Sequence, residues 1–311
     1  MQQENTMTGQ PQYSRRRFLA QSSLAASAVL SAPWLKQTNL LAQAPAARIK
    51  TESQRGNVSV LRGSGGNIAV LAGKDGKVII DSGYSAAKPQ IGAALTALSA
   101  DPITHLINTH WHIDHTDGNE WMHAAGAVIL AHVNTQKRLS TTQTVAAWQA
   151  TFPPAPAGAI PTETFTDKKT LHLNGTTLEL AYYGAAHTDT DISIYFTDAD
   201  VLHAGDTWWN PLYPFIDYST GGHINGMIQA TERNLAASTA HTIIIPGHGH
   251  VGDKAQLTEY RDMLVTTRDK VAALKKQGKT LDQVIADKPN AAYDAKLGPA
   301  TEFLGYVYQG V

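Results

Sequence analysis

The chain contains no cysteine, which excludes disulfides, thiolate metal ligands and a cysteine nucleophile. Any metal must be held by imidazole and carboxylate, a donor set that suits zinc and admits manganese or iron. Charge of one sign is also missing: 25 Lys and Arg face 26 Asp and Glu, a net −1. No nucleic-acid partner and no polybasic membrane anchor is therefore expected. Lys and Arg are scarcest from Thr188 through Gly252, where Arg233 stands alone. A Gly-x-Ser-x-Gly turn is absent too, so the sequence offers no nucleophile of its own. The chain of 311 residues is long enough for one large domain or two small ones.

What is present begins with an N-terminal leader pattern. Ser14-Arg15-Arg16-Arg17-Phe18-Leu19 precedes a mildly apolar stretch, Leu24–Leu35, and then Ala42-Gln43-Ala44. The order of arginines, Phe-Leu, weak apolar core and Ala-x-Ala reads as a twin-arginine export signal with a small-residue cleavage site. The apolar stretch is short beside the roughly 20 residues of a membrane span. The expectation is a signal peptide over residues 1–44, a linker over 45–56, and one domain over 57–311. The mature protein would be periplasmic or secreted, without a stable membrane anchor.

The densest chemistry lies in Thr109–Asn119, THWHIDHTDGN. His110, His112, Asp114 and His115 fall within six residues. In an extended segment, side chains two apart point the same way, so His110 and His112 can aim at one ion. Asp114 and His115 lie where the chain can turn and present a second pair. Such a cluster on a solvated loop could be accidental. Three more ligand-type residues at the ends of apolar runs argue otherwise: His187 in GAAHTDTD, Asp206 in LHAGDT and His248 in PGHGH.

Around these residues the chain reads as two blocks of strands, each followed by helices. In the first, Val58–Leu61, Asn67–Ala72 and Lys77–Asp81 are short apolar runs between Gly-rich turns. A helix follows over 89–100, then a buried strand over 104–108 that delivers the histidine loop, a helix over 117–124, a strand over 128–131 and a short helix over 133–139. Residues 140–168, dense in Thr and Ala with Phe152-Pro153-Pro154-Ala155-Pro156, read as irregular. They are either a surface insertion flanking a site or a plain linker between half-domains. The second block has strands over 170–173, 177–182, 192–196, 201–204 and 242–245, and helices over 222–235 and 253–277. A short helix over 281–285 closes the pattern. Residues 207–221 carry five aromatics on an irregular stretch. Trp208 and Trp209, just past Asp206, are candidate substrate-wall residues, with packing under the loop as the alternative. His223 and Asn225 open a helix after that stretch and are candidate contacts for an anionic group. His203, inside an apolar run, reads as core or supporting residue rather than ligand.

His-x-His-x-Asp-His followed in order by His, Asp and His resembles the metallo-β-lactamase superfamily of binuclear metallohydrolases. The resemblance implies an α/β fold, a four-layer αββα sandwich with ligands converging at one edge. It implies that His110, His112 and His187 hold one metal and that Asp114, His115 and His248 hold a second. Asp206 would bridge the two, and Asp81 would organise the histidine loop without binding metal. It further implies two zinc ions, or manganese or iron in their place, and a metal-ionised water as nucleophile. Asp114 would double as a proton carrier to the leaving group. An aspartate at 206 departs from β-lactamases whose second metal takes a cysteine there. It is more typical of thioesterases, lactonases and phosphodiesterases of the superfamily. The expected function is hydrolysis of a carbonyl-centred bond (β-lactam, lactone or other ester) in a small-molecule substrate. Phosphodiester hydrolysis is the alternative, disfavoured by the scarcity of cations. A metal-binding envelope protein without turnover is the remote one.

Overall fold

A computed structural model describes residues 48–311. The signal-peptide expectation falls on residues outside the described ones. The strands of the first block have both faces covered, which explains why β2 (Val58–Arg62), β3 (Ile68–Leu71) and β4 (Lys77–Ile80) read as almost continuous apolar runs. Alternate side chains leave the sheet on opposite sides. Val60, Ala69, Val78 and Ile80 meet Leu180, Ile194, Phe196 and Ile245 of a second sheet. Leu61, Ile68, Val70 and Ile79 turn the other way, onto Ile91 and Leu95 of α1 (Lys88–Leu98).

The first sheet has seven strands in the order β1-β2-β3-β4-β5-β6-β9, with β1 at Lys50–Ser53, β5 at Ile103–Ile107, β6 at Val128–His132 and β9 at Glu163–Phe165. Its parallel half, β4-β5-β6-β9, places Ile79 beside Leu106 and Leu106 beside Ile129. The second sheet has six strands, β10 (Lys168–Leu173), β11 (Thr176–Tyr182), β12 (Ile192–Phe196), β13 (Val201–Asn210), β14 (Ile243–Gly249) and β15 (Gly252–Asp253), in that order.

On its outer face Leu202, Ala204 and Ile244 pack against α5 (Ile224–Ala237) and α6 (Lys254–Lys276). The fold is thus an αββα sandwich. Each fully buried Ile, Leu or Phe at these interfaces contributes about 1.5–3 kcal/mol. Helix α6 starts where it does because Asp253 accepts from the Gln256 amide while the Gln256 side chain accepts from the Asp253 amide.

Between β5 and β6 lie the single turn α2 (Ile113–Thr116) and α3 (Asn119–Ala124), and α4 (Val133–Leu139) follows β6. Several expectations need correction. Residues 45–56 are not simply a linker, since β1 pairs with β2, Lys50 opposite Arg62. Residues 140–168 are not irregular throughout. They form a hairpin, β7 (Gln143–Val145) with β8 (Ala150–Phe152), and then β9, which extends the first sheet. Strand β13 runs six residues beyond 204, because pairing with β14 resumes past a bulge, Trp209 beside His248. The tail adds α7 (Leu281–Asp287), α8 (Ala291–Leu297) and α9 (Thr301–Gln309). Phe303, Leu304 and Val307 of α9 are buried in the core behind the second sheet. Among the described residues, no helix is long and apolar enough to cross a membrane.

Candidate metal centre

The ligand-type residues gather from both sheets, five on segments that leave or enter strands and two within strands. The His110–His115 loop leaves β5, His187 precedes β12, and Asp206 and His248 lie on the adjacent strands β13 and β14. The structure brings all seven together. His110, His112 and His187 form one group of potential ligands, His110, His115 and Asp206 a second, and Asp114, His115 and His248 a third. All seven are buried.

Separations within the cluster are short. His187 Nε2 stands 2.9 Å from His112 Nδ1 and His248 Nε2 3.1 Å from Asp114 Oδ2. The Asp206 carboxylate lies between the two sides: 3.5 Å from His187 Nε2 and 4.0 Å from His110 Nε2, against 3.2 Å from His115 Nε2 and 3.3 Å from His248 Nε2. Ligand atoms about 2.0–2.1 Å from a tetrahedral zinc ion stand roughly 3.3 Å apart, so these spacings fit a metal. His110 Nε2 and Asp206 Oδ1 are buried without a hydrogen-bond partner. A buried orphan of this kind is costly unless something else satisfies it, and a cation would.

The outward nitrogens of the imidazoles are fixed by the surrounding chain. Asp81 is the hub. It accepts from His115 Nδ1 at 2.7 Å, from the Thr109 amide at 2.7 Å and from Thr109 Oγ1 at 2.7 Å. That threonine hydroxyl in turn accepts from His110 Nδ1 at 3.0 Å. His112 Nε2 donates to Asp217 at 3.1 Å, and His187 Nδ1 donates to the Phe215 carbonyl at 2.8 Å. Each bond fixes which ring nitrogen points outward and so turns the other toward the cluster. Two glycines are dictated by proximity: a Cβ at Gly247 would collide with the Asp206 carboxylate, and one at Gly66 with the His115 ring.

Burial holds the His110 imidazole well below its ordinary range and lowers His112 as well. On the other side, burial opposes the proton on His115, but Asp206, Asp114 and Asp81 outweigh it and hold that imidazole well above its usual value. For His248, burial is likewise outweighed by Asp206 and Asp114, and it is pushed up to about 9. Asp114 is lowered to about 2: burial opposes this, and His115 and His248 overcome it.

The candidate substrate contacts separate. Trp209 borders the cluster, its ring 4.5 Å from that of His248. Trp208 does not: it is 1% exposed and belongs to the core behind the second sheet, because successive strand residues face opposite ways. His223 and Asn225 have partners within the fold. His223 is the N-cap of α5, its Nδ1 accepting from the Gly226 amide at 2.9 Å, and Asn225 meets Arg268 on α6 at 3.3 Å. His203 is buried, its Nε2 3.2 Å from the Asn67 carbonyl.

Sequence reasoning missed three residues. Asp217, which orients His112, sits 105 positions from it. Trp148, at the tip of the 143–152 hairpin, lays its ring 4.8 Å from that of His112. Tyr84 is the third. Burial raises its phenol well above the usual value, and the charges of Asp114, Asp117 and Asp206 push the same way. Only the Asp-Ser-Gly turn at 81–83 could have hinted at Tyr84.

Fold and cluster together define a metal-dependent hydrolase. The chain belongs to the Metallo-beta-lactamase superfamily, whose model matches residues 61–273. Among solved structures, it is similar to the DIM-1 metallo-beta-lactamase, at 20% identity over 70% of this chain and 98% of that one, with a TM-score of 0.57. It is similar to the metallo-beta-lactamase from Pontibacter korlensis, at 19% identity over 70% of this chain and 98% of that one, TM-score 0.57. It is also similar to the stereoselective inverting sec-alkylsulfatase Pisa1 from Pseudomonas sp., at 18% identity and TM-score 0.63, covering 84% of this chain and 50% of that one. Likeness at these identities establishes the fold. Among curated proteins none matches the chain.

Proposed function

We propose that the protein is an exported hydrolase with two divalent metal ions, zinc by preference, that cleaves a carbonyl-centred bond in a small β-lactam, lactone or other ester. The observation that carries this is the position of Asp206, whose one carboxylate faces imidazoles of both sides at 3.2–4.0 Å. A carboxylate shared in this way offsets the repulsion between two cations. His110, His112 and His187 would hold one ion, and Asp114, His115 and His248 the other. A metal pair supplies an ionised water near neutral pH and a Lewis acid for the scissile oxygen. The chain's own residues do the rest. Asp81, Asp217 and the Phe215 carbonyl hold the imidazoles in register. The burial of the cluster limits competing water. Asp114, whose Oδ2 lies 3.1 Å from His248, would carry a proton toward a leaving group.

Metal analysis of the purified protein should give about two ions per chain, as a two-metal site requires. A panel of β-lactam, lactone, thioester, phosphodiester and sulfate-ester substrates then sorts the chemistry. Turnover confined to the phosphodiester or sulfate ester overturns the carbonyl reading, and activity surviving Asp206→Ala overturns the site. The Arg15-Arg16 leader supports export by the twin-arginine route. Fractionation that finds the mature protein in the cytoplasm would refute it.

A further inference from the structure

The hairpin β7–β8 closes on the cluster from the His112 side. Trp148, at its tip, and Phe215 flank the His112 ring, with centroids 4.8 and 5.9 Å away. Phe215 meets Tyr306 of α9 at 5.2 Å. Trp148, Phe215, Val145 and Trp111 form a separate apolar cluster, against which Phe152, Trp209 and Tyr306 pack while remaining partly exposed. The hairpin is anchored at its tip: the Ala146 amide donates to Ser219 Oγ at 2.9 Å. Ser219 in turn donates its amide to Asp217 at 3.0 Å, the residue that orients His112.

The arginines beside the ligand loops are already engaged. Arg138 makes a two-bond pair with Asp189 at 3.0 and 2.6 Å. Arg62 is held by Glu52 at 3.0 Å, the Gly249 carbonyl at 2.9 Å and His250 at 2.9 Å. A carboxylate, phosphate or sulfate on a substrate would want a side-chain cation beyond the metals, and the end nitrogens of both arginines already carry these partners.

We propose that the hairpin is a substrate-recognition element and that Trp148, with Phe152, Phe215 and Tyr306, receives the apolar acyl or alkyl group of an uncharged ester or lactone. This rests on the hydrolase reading above, with Trp148 as the specificity-determining residue. The half-buried edge of Phe152 and Tyr306, backed by the buried Trp148 and Phe215, rewards each methylene removed from water and leaves the polar head to the metal side.

The test is calorimetric binding of acetohydroxamate and octanohydroxamate to the full metal-loaded protein, which needs no turnover. The longer probe should bind at least about tenfold tighter, because its added methylenes are buried. Trp148→Ala should erase most of that gain, bringing the octano- and acetohydroxamate affinities close together. Phe152→Ala, at the half-exposed edge, should remove part of it and serves where the first variant folds poorly. On esters, Trp148→Ala should lower the preference for p-nitrophenyl octanoate over the acetate ester, with the loss lying in KM rather than kcat. Equal affinity for the two probes, or a gain that survives both substitutions, overturns the proposal while the hydrolase reading stands. A protein that takes up no metal, and so binds neither probe, overturns both.

Discussion

His110, His112 and His187 on one side of Asp206, and Asp114, His115 and His248 on the other, use the same kinds of donor atom in different fields. On the first side, burial lowers His110 and His112, so they face the centre as neutral bases. On the second, carboxylates outweigh burial and keep protons on His115 and His248. A cation entering the first side finds ligands ready. One entering the second must displace protons, because a metal needs neutral imidazole. The halves therefore differ in how their occupancy depends on pH, although their side chains look alike.

The most severe way to break this comparison is Asp206→Ala, which removes a carboxylate facing both halves. Hydrolysis should vanish, and metal analysis should find fewer than two ions per chain. The supporting aspartates come next. Asp217 orients His112 alone, whereas Asp81 holds His115 directly and His110 through Thr109. Each change to Asn should cost roughly 10–100-fold in metal affinity or activity. Competition with a chelator should show Asp81→Asn weakening both ions and Asp217→Asn one. Equal behaviour would erase the distinction.

Proton linkage sharpens it further. His248 is raised from 6.5 to about 9 in the metal-free fold. The stability it lends is fully present below its unfolded value and is lost as pH rises through about 9. Asp114, lowered from 3.8 to about 2, lends stability present above 3.8 and lost as pH falls through about 2. Scanning calorimetry of the metal-free protein should show the melting temperature falling from pH 7 to 9.5, with a much shallower fall when metal is bound. Titrating metal at pH 7 in buffers of different ionisation enthalpy should show more protons released with the second half than with the first. The smallest effect expected is for His223→Ala. It loses a helix cap worth about 1 kcal/mol, with kcat/KM unchanged. A fall in kcat/KM would return His223 to the substrate side.

The seven ligand-type residues were legible because four crowd into six residues and the other three stand at the ends of apolar runs, and strands of one sheet deliver their ends to one edge. The layers were legible for the same reason: β2 to β5 carry apolar residues on both faces, as only strands covered on both sides can. Asp217 was not, since its partner lies 105 positions away and nothing local marks an aspartate as a hydrogen-bond acceptor for an imidazole. Trp148 hid in a Thr- and Ala-rich stretch whose short hairpin has too few residues for a periodic signal. Strand β9 has three residues, and its existence depends on β6 offering a free edge. Trp208 and Trp209 show the limit of composition. Adjacent and identical, they part company because the backbone turns one to the core and the other to the cluster.

Asp206 and His248 lie in the second sheet, whereas His110 to His115 hang from the first. Cations bound among them would stitch the two sheets along their shared seam, adding a polar fastening to an interface otherwise sealed by aliphatic contact. The last thread of that stitch, His248, is synthesised well after the first, so a ribosome-bound chain cannot be fully laced until most of both sheets exists. Metal capture would in this sense report that the sandwich has closed.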